Sequence, residues 1–218
     1  MLLLRRPLLP ILLAALLALP AVAAASDAKR QLEQVRDTMF DALEGRAAWY
    51  REEPERFHRL IEENLEPHID FPRFAQMVAP TQWRTASDEQ RRAFVAEFRL
   101  FLIRLYAGAL LRADVLDSLT RDAFTIDEPR AGRDERRVSV RATMDAPGLA
   151  PVMIVFHFYQ SGEQWLIWNL EVESLNMVMT YRQQFQGATM QRVIDWLRER
   201  NQRLAEDPAA ADEVLPQR

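Results

Sequence analysis

The 218-residue chain contains no cysteine, only six glycines and a single lysine, Lys29. The lack of cysteine excludes disulfides, cysteine-ligated metal sites and a thiol nucleophile. The six glycines form no glycine-rich loop that could cradle a phosphate group. Basic side chains are outnumbered by acidic ones, and the net charge of −4 argues against a nucleic-acid partner.

Candidate catalytic residues are also few. His58 and His68 have no second histidine at the spacing of a metal site. His157 lies in an apolar strand, where a lone histidine is more typical of a core residue than of a general base. Two pairs of acidic residues are further acid–base candidates that nothing else in the sequence selects: Asp114 with Asp117, and Glu171 with Glu173. We therefore expect no enzymatic activity, no cofactor and no metal.

The first 25 residues have the pattern of a secretory signal peptide. Arg5 and Arg6 precede a short apolar run over residues 8–19, and small residues suited to cleavage end at Ala23 and Ala25. The run is shorter than the roughly 20 apolar residues of a membrane span. We expect export to a bacterial periplasm and, since no cysteine follows the run, no lipid anchor.

The longest helical pattern covers residues 87–112. Ser87 and Gln90 form the sequence pattern of a capping box at its start. Five apolar residues share one face of this helix: Phe94, Phe98, Leu102, Leu105 and Ala109. Further apolar residues widen that face, so the helix requires cover on more than one side. It is either a fully packed core helix or one wall of an apolar ligand cavity.

Shorter helical patterns precede this helix, over residues 27–43, from Pro54, and after an N-cap at Asp70. Trp49 and Tyr50 are expected in a connection, and Pro80 is expected to end a helix. Alternating residues then predict strands over 124–126, 137–144, 152–159 and 164–172, with a hairpin turn at 161–163. Helices return at about 174–186 and after Thr189.

This order predicts an α+β fold, a single domain in which an antiparallel twisted sheet of about four strands packs against several helices, with an apolar cavity between them. The domain is expected to span residues 26–205, after the signal peptide at 1–25 and before a flexible tail at 206–218.

Three segments resemble the MlaC family of periplasmic phospholipid carriers, also called toluene-tolerance auxiliary proteins. The first has the family order of a Trp-Arg pair, an Ala-Ser cap and a Gln-x3-Phe-x3-Phe run. In this sequence the motifs are Trp83-Arg84, Ala86-Ser87, and Gln90, Phe94 and Phe98. Leu102 or Leu105 and then Tyr106 follow them. The second is the strand 165–170, and the third is the segment with Ser174, Leu175, Tyr181, Arg182 and Phe185. Asn169 and Glu173 replace an aspartate and a glycine of the family pattern.

The resemblance implies a soluble phospholipid carrier that maintains outer-membrane lipid asymmetry. Its implied partners are an inner-membrane ABC transporter substrate-binding subunit and an outer-membrane lipoprotein–porin complex. The acyl chains would be buried between the long helix, the sheet and helix 174–186. The residues expected there lie on matched or two-sided apolar segments: Phe98, Leu102, Val155 and Ile167 in contact with the chains, with Phe94, Leu105, Tyr106 and Met179 around them.

Two other classes of function stay open at this point. One is a small-molecule hydrolase or isomerase on a cone-shaped α+β scaffold, with His157 or a carboxylate as base. The other is a periplasmic chaperone with an apolar groove for protein. In addition, strands 152–159 and 164–172 are apolar on both faces, so the sequence alone does not decide which face looks inward.

Overall fold

A computed structural model describes residues 19–111, 116–134, 136–148 and 150–207, with side chains from Ser26 onward. Residues 1–18 of the predicted signal peptide and residues 208–218 of the predicted tail lie outside this description. The first helix begins at Leu19, so its first turns fall inside the predicted signal peptide.

Eight helices of six or more residues are present in the described chain, and most begin at residues suited to that position. They are α1 Leu19–Leu43, α2 Ala47–Glu52, α3 Pro54–Asn64, α4 Phe71–Val78, α5 Pro80–Thr85, α6 Asp88–Leu110, α7 Met177–Gln184 and α8 Met190–Glu206. The Ser87–Gln90 capping box at the start of α6 is confirmed, with both of its hydrogen bonds formed. Asp70 and Thr189 cap α4 and α8 as predicted, each by accepting from a backbone N–H three residues on.

The sheet has six antiparallel strands: β1 Phe124–Ile126, β2 Arg130–Ala131, β3 Arg137–Met144, β4 Val152–Ser161, β5 Gln164–Val172 and β6 Leu175–Asn176. Their order is β1-β3-β4-β5-β6, and β2 also pairs with β3. The sequence predicted about four strands, because the two-residue strands β2 and β6 are too short to give an alternating pattern. A bulge between His157 and Phe158 shifts the register of β4 against β5.

The two faces of the sheet differ in their partners. On the inner face, Val138, Val140 and Ala142 pack with Phe156, Phe158 and Ile167 beneath Ala28 and Leu32 of α1, and we call this the sheet core. The outer face carries the alternate residues of the same strands, among them Arg137, Ser139 and Arg141 of β3.

A second cluster, the helical core, fills the space between α4, α6, α7 and α8. Its largest buried side chains are Phe74, Phe94, Phe98, Phe101, Leu105, Tyr181, Ile194 and Leu197. A third cluster joins α2 and α3 to the C-terminal half of α6 through Tyr50, Phe57, Ile61 and Ile103. The helical core and this third cluster together cover α6 on more than one side, as its broad apolar surface requires.

Two expectations about local structure were wrong. Residues 47–52, expected as a connection, form the helix α2, which buries Tyr50. Pro80 was expected to end a helix, but it opens α5 at the first helical position. Proline is well suited to that position because its fixed φ is helical and its missing N–H has no intrahelical partner there.

Candidate functional site

The inner face of the sheet and the helical core meet along a line of half-buried apolar side chains. Ile69 and Leu170 pack against both the helical core and the sheet core. Ile154 pairs with Val172, and Val172 pairs with Leu175, so these three continue the line along the end of the sheet. We call this set, completed by Tyr106 of α6, the interlayer seam: Ile69, Tyr106, Ile154, Leu170, Val172 and Leu175.

The seam is a place where the apolar interior is incompletely covered. All six side chains are neither fully buried nor fully exposed, whereas the neighbouring Phe98, Leu105 and Ile167 are almost inaccessible. Because apolar area left accessible between two packed layers is area that a ligand can still bury, the seam is the best candidate for a binding site.

Most of the residues predicted from the sequence to bind a ligand lie beneath the seam, within the packed interior. Phe94, Phe98 and Leu105 are fully buried, and Ile167 and Leu102 are nearly so. The ring of Phe98 lies within 6.3 Å of four other aromatic rings, those of Phe74, Phe94, Tyr181 and Phe185. Phe98 therefore supports the helical core from which the seam is built.

The structure separates two other predicted residues from this group. Val155 pairs with Arg141 and Glu171 and lies on the outer face, whereas Ile167 lies on the inner face. Met179 belongs to α7, and its side chain is 58% exposed. Among the eight predicted residues, only Tyr106 is a member of the seam. The seam also includes Ile154, Leu170 and Val172, which the sequence-based prediction did not name. Pairing with the alternating strand β3 was the sequence signal for the inward face of Ile154.

Two tyrosine hydroxyl groups lie in the interior next to the seam. Tyr106 donates to the Met177 sulfur, with 2.8 Å between Oη and Sδ. Tyr181 is only 2% exposed, and its hydroxyl has no hydrogen-bond partner among the described residues. Burial raises the pKa of Tyr106 to about 12 and that of Tyr181 well above its usual value, and each hydroxyl is near enough to influence the pKa of the other.

A second polar group lies on the outer face, across strands β3, β4 and β5. Ser139 Oγ is 2.9 Å from His157 Nδ1, and His157 Nε2 is 3.0 Å from Glu171 Oε1. Asn176 also donates to Glu171. This is the histidine considered above as a base. His157 pairs with Ser139 of β3 and with Asn169 of β5, and the register of β4 against β5 shifts immediately after it.

Other kinds of site find no support in the described chain. Among the described residues, no group of three or more His, Asp or Glu side chains is arranged to hold a metal ion. Two surface recesses, of about 330 and 510 Å³, lie on the α8 side of the molecule. The wall of the first is mixed, with Phe185, Val193 and Trp196 beside polar residues such as Arg192, and that of the second is largely polar, with Glu89, Gln191 and Arg198.

No helix within the described ranges combines the length and the apolar character needed to cross a membrane.

The fold and the seam together define an α+β domain whose helical layer and antiparallel sheet close over an apolar line of contact. The chain belongs to the MlaC protein family, whose sequence profile matches residues 33–211. This confirms the family resemblance drawn from the sequence.

Individual relatives agree with this assignment. The toluene tolerance protein ttg2D of Pseudomonas putida is 27% identical over 183 residues, which is 83% of this chain and 81% of that protein. The intermembrane phospholipid transport system binding protein MlaC of Haemophilus influenzae is 19% identical over 180 residues, 81% of each chain. The structure of a phospholipid-binding protein from Ralstonia solanacearum in complex with a phospholipid matches with a TM-score of 0.70 at 25% identity, over 82% of this chain and 98% of that one.

Proposed function

We propose that this protein is a periplasmic phospholipid carrier, and that it holds the acyl chains of its cargo between the two sides of the interlayer seam. The observation that carries the proposal is the seam itself, an accessible apolar line between the sheet and the helical core of a fold whose relative from Ralstonia solanacearum is described as bound to a phospholipid.

The energetics of the cargo favour such a carrier. Burying one CH₂ group is worth about 0.8 kcal/mol, so two chains of about 16 carbons represent roughly 25 kcal/mol relative to water. A free phospholipid therefore does not leave a membrane readily, and an aqueous crossing needs an apolar enclosure. The two surface recesses do not offer this enclosure because both are open toward solvent and have a charged side chain in the wall, Arg192 in one and Arg198 in the other, whereas the seam is lined by apolar side chains.

Loading would then proceed by separation of the two layers. In the structure the two layers are in contact along the seam, and among the described residues Ile69 and Leu170 pack against both cores. A lipid chain inserted along it would replace those few contacts with its own, so the apolar surface that opening exposes is covered again. The predicted contacts of Val155 and Met179 do not form part of this arrangement, because they lie away from the seam.

The partners follow from the carrier role. We propose that the protein exchanges phospholipid with an inner-membrane ABC transporter system and with an outer-membrane lipoprotein–porin complex, after export and removal of residues 1–25. These partners are the ones that the family implies, and the described surface assigns no residue to either contact.

Lipid extraction and transfer test this function. The protein should be expressed with its own leader in a bacterium, purified without detergent and extracted with organic solvent for lipid mass spectrometry. We expect co-purified phospholipid, and we expect the protein to move labelled phospholipid from donor to acceptor vesicles. Absence of bound phospholipid together with absence of transfer would contradict the proposal.

The chain offers a matched pair of variants for the same assay. Leu170 and Leu166 are half-buried leucines of the same strand, on the inner and outer face respectively. Leu170→Glu places a charge in the seam and should abolish transfer, because an acyl chain does not pack against an ionised carboxylate. Leu166→Glu should leave transfer near the wild-type rate.

A further inference from the structure

The hydroxyl group of Tyr181 is buried in aromatic surroundings. It lies among the rings of Phe98, Phe101 and Phe185, at centroid distances of 5.4, 5.8 and 6.1 Å. These rings give it no hydrogen-bond acceptor, and the neighbouring hydroxyl of Tyr106, which is near enough to add to the effect of burial in raising the pKa of Tyr181, is not in hydrogen-bond geometry with it. A phenylalanine would fill the same space without leaving a buried polar group unpaired. Since buried polar groups in folded proteins normally have a hydrogen-bond partner, the presence of the hydroxyl needs an explanation.

The hydroxyl of Tyr106 is in a similar position. Its partner is the Met177 thioether, and sulfur is a weak acceptor that a carbonyl oxygen would outcompete. Tyr106 also belongs to the seam and keeps accessible surface, unlike Tyr181. The two hydroxyls therefore differ in access. That of Tyr181 is buried without a partner in hydrogen-bond geometry, whereas that of Tyr106 can be reached by a molecule in the seam.

We propose, on the basis of the carrier function above, that Tyr106 and Tyr181 together bind an ester carbonyl oxygen of the phospholipid. An ester oxygen is a neutral acceptor located where the acyl chains begin. It is therefore the polar atom that enters an apolar site together with the chains. The two hydroxyls would then fix how far the chains are inserted, while the seam residues supply the apolar contact.

The chemistry of the pair selects a neutral acceptor over a charged one. The surroundings of Tyr181 are aromatic, and a phosphate placed among them would lose its hydration without a cation to replace it. The phosphate and head group therefore remain toward solvent in this arrangement. A buried water molecule could also satisfy both hydroxyls, and the experiment distinguishes it from an ester because water gives no preference between lipids.

The test compares two lipids that differ only at the ester. Delipidated protein is titrated with diacyl phosphatidylethanolamine and with the dialkyl ether analogue of the same chain length, which has no carbonyl oxygen. We expect the wild-type protein to bind the ester lipid about threefold to tenfold more tightly, the range that one net hydrogen bond gives. Tyr181→Phe and Tyr106→Phe should reduce the preference, and the double variant should bind both lipids equally.

Tyr50→Phe serves as the control, since Tyr50 is buried in the separate cluster of α2 and α3 and should keep the preference. Equal affinity of the wild-type protein for both lipids overturns the assignment of the tyrosines while leaving the carrier function intact. An undiminished preference in the double variant overturns it as well. Failure of the wild-type protein to bind either lipid instead refutes the carrier function, and with it this inference.

Discussion

Ile154 and Val155 are neighbours in β4, yet their side chains lie on opposite faces of the sheet. Ile154 pairs with Ala142 and Val172 and packs against the sheet core. Val155 pairs with Arg141 and Glu171 on the outer face. Both are half-buried, so the same substitution at the two positions compares the two faces at matched exposure.

The first prediction uses this pair. Ile154→Asp should lose most of the bound phospholipid, because the seam would then carry a carboxylate whose desolvation costs several kcal/mol. Val155→Asp should retain lipid, since a carboxylate on the outer face, between Arg141 and Glu171, remains in contact with solvent and away from the seam. Co-purified lipid and the thermal unfolding midpoint should be measured for both variants.

The midpoint separates loss of binding from loss of folding. Ile154→Asp tests the prediction if the variant remains folded. If it unfolds, the less disruptive Ile154→Asn takes its place in the same measurement. Loss of lipid in the folded Val155→Asp variant with retention in Ile154→Asp would contradict the prediction and place the acyl chains on the outer face.

Much of this fold could be predicted from local patterns. The alternation over 137–144 gave β3 with its bounds, and the Ser87–Gln90 pair gave the first turn of α6, because caps and alternation are set by neighbours in sequence. The same reasoning failed at Pro80, where proline is compatible with either the end or the start of a helix.

The candidate site was harder to predict because it depends on which face of a strand is covered. β4 is apolar on both faces, so its own sequence did not separate Ile154 from Val155. The buried residues of β3 identify the inward face of β4. Val138, Val140 and Ala142 are buried, and they pair with Phe158, Phe156 and Ile154. Tyr181 was recognised only as part of a family pattern, since an unpaired hydroxyl is a property of packing and not of sequence.

The second prediction concerns Tyr181 in lipid-free protein. Removing a buried hydroxyl that lacks a partner relieves a desolvation penalty of about 1–3 kcal/mol. Tyr181→Phe should therefore raise the free energy of unfolding by about 1 kcal/mol, while Tyr106→Phe, which gives up only a bond to sulfur, should change it little. Denaturant titration of delipidated protein measures both values. A clear loss of stability in Tyr181→Phe would show that the hydroxyl has a partner in solution.

The third prediction follows from the pKa of Tyr106, which burial raises to about 12. In the unfolded chain a tyrosine loses its proton near pH 10, whereas the folded protein keeps this one. The stability that Tyr106 contributes is therefore fully present below about pH 10 and is lost as the pH rises toward about 12. The loss is about 2–3 kcal/mol over that interval.

Urea unfolding of wild-type protein and Tyr106→Phe at pH 8 and at pH 11 checks this dependence. The free energy of unfolding of the wild-type protein, relative to that of Tyr106→Phe, should be lower at pH 11 than at pH 8, because phenylalanine has no proton to lose. A difference that is the same at both pH values would show that Tyr106 titrates normally, and hence that it is well hydrated in the folded protein.

The last prediction concerns the turn between β5 and β6, beside the seam. Glu173 and Ser174 have φ angles of 50° and 68°, in the left-handed region that costs most residues about 1 kcal/mol. The family pattern has glycine at the position of Glu173, which fits this geometry. In this chain the Glu173 carboxylate accepts from the Met153 N–H, with 2.6 Å between the two atoms, and so binds the turn to the start of β4.

The two residues should therefore respond differently to glycine. Ser174→Gly should raise the free energy of unfolding by about 0.5–1 kcal/mol, because it relieves the backbone. Glu173→Gly gains the same relief but loses a hydrogen bond from a charged acceptor, worth about 1.5–3 kcal/mol, so it should lower stability. Glu173→Gln retains an acceptor for Met153 and should fall between Glu173→Gly and the wild-type protein. Chemical denaturation of the three variants measures this order, and a stabilised Glu173→Gly would mean that the carboxylate does not hold β4 in solution.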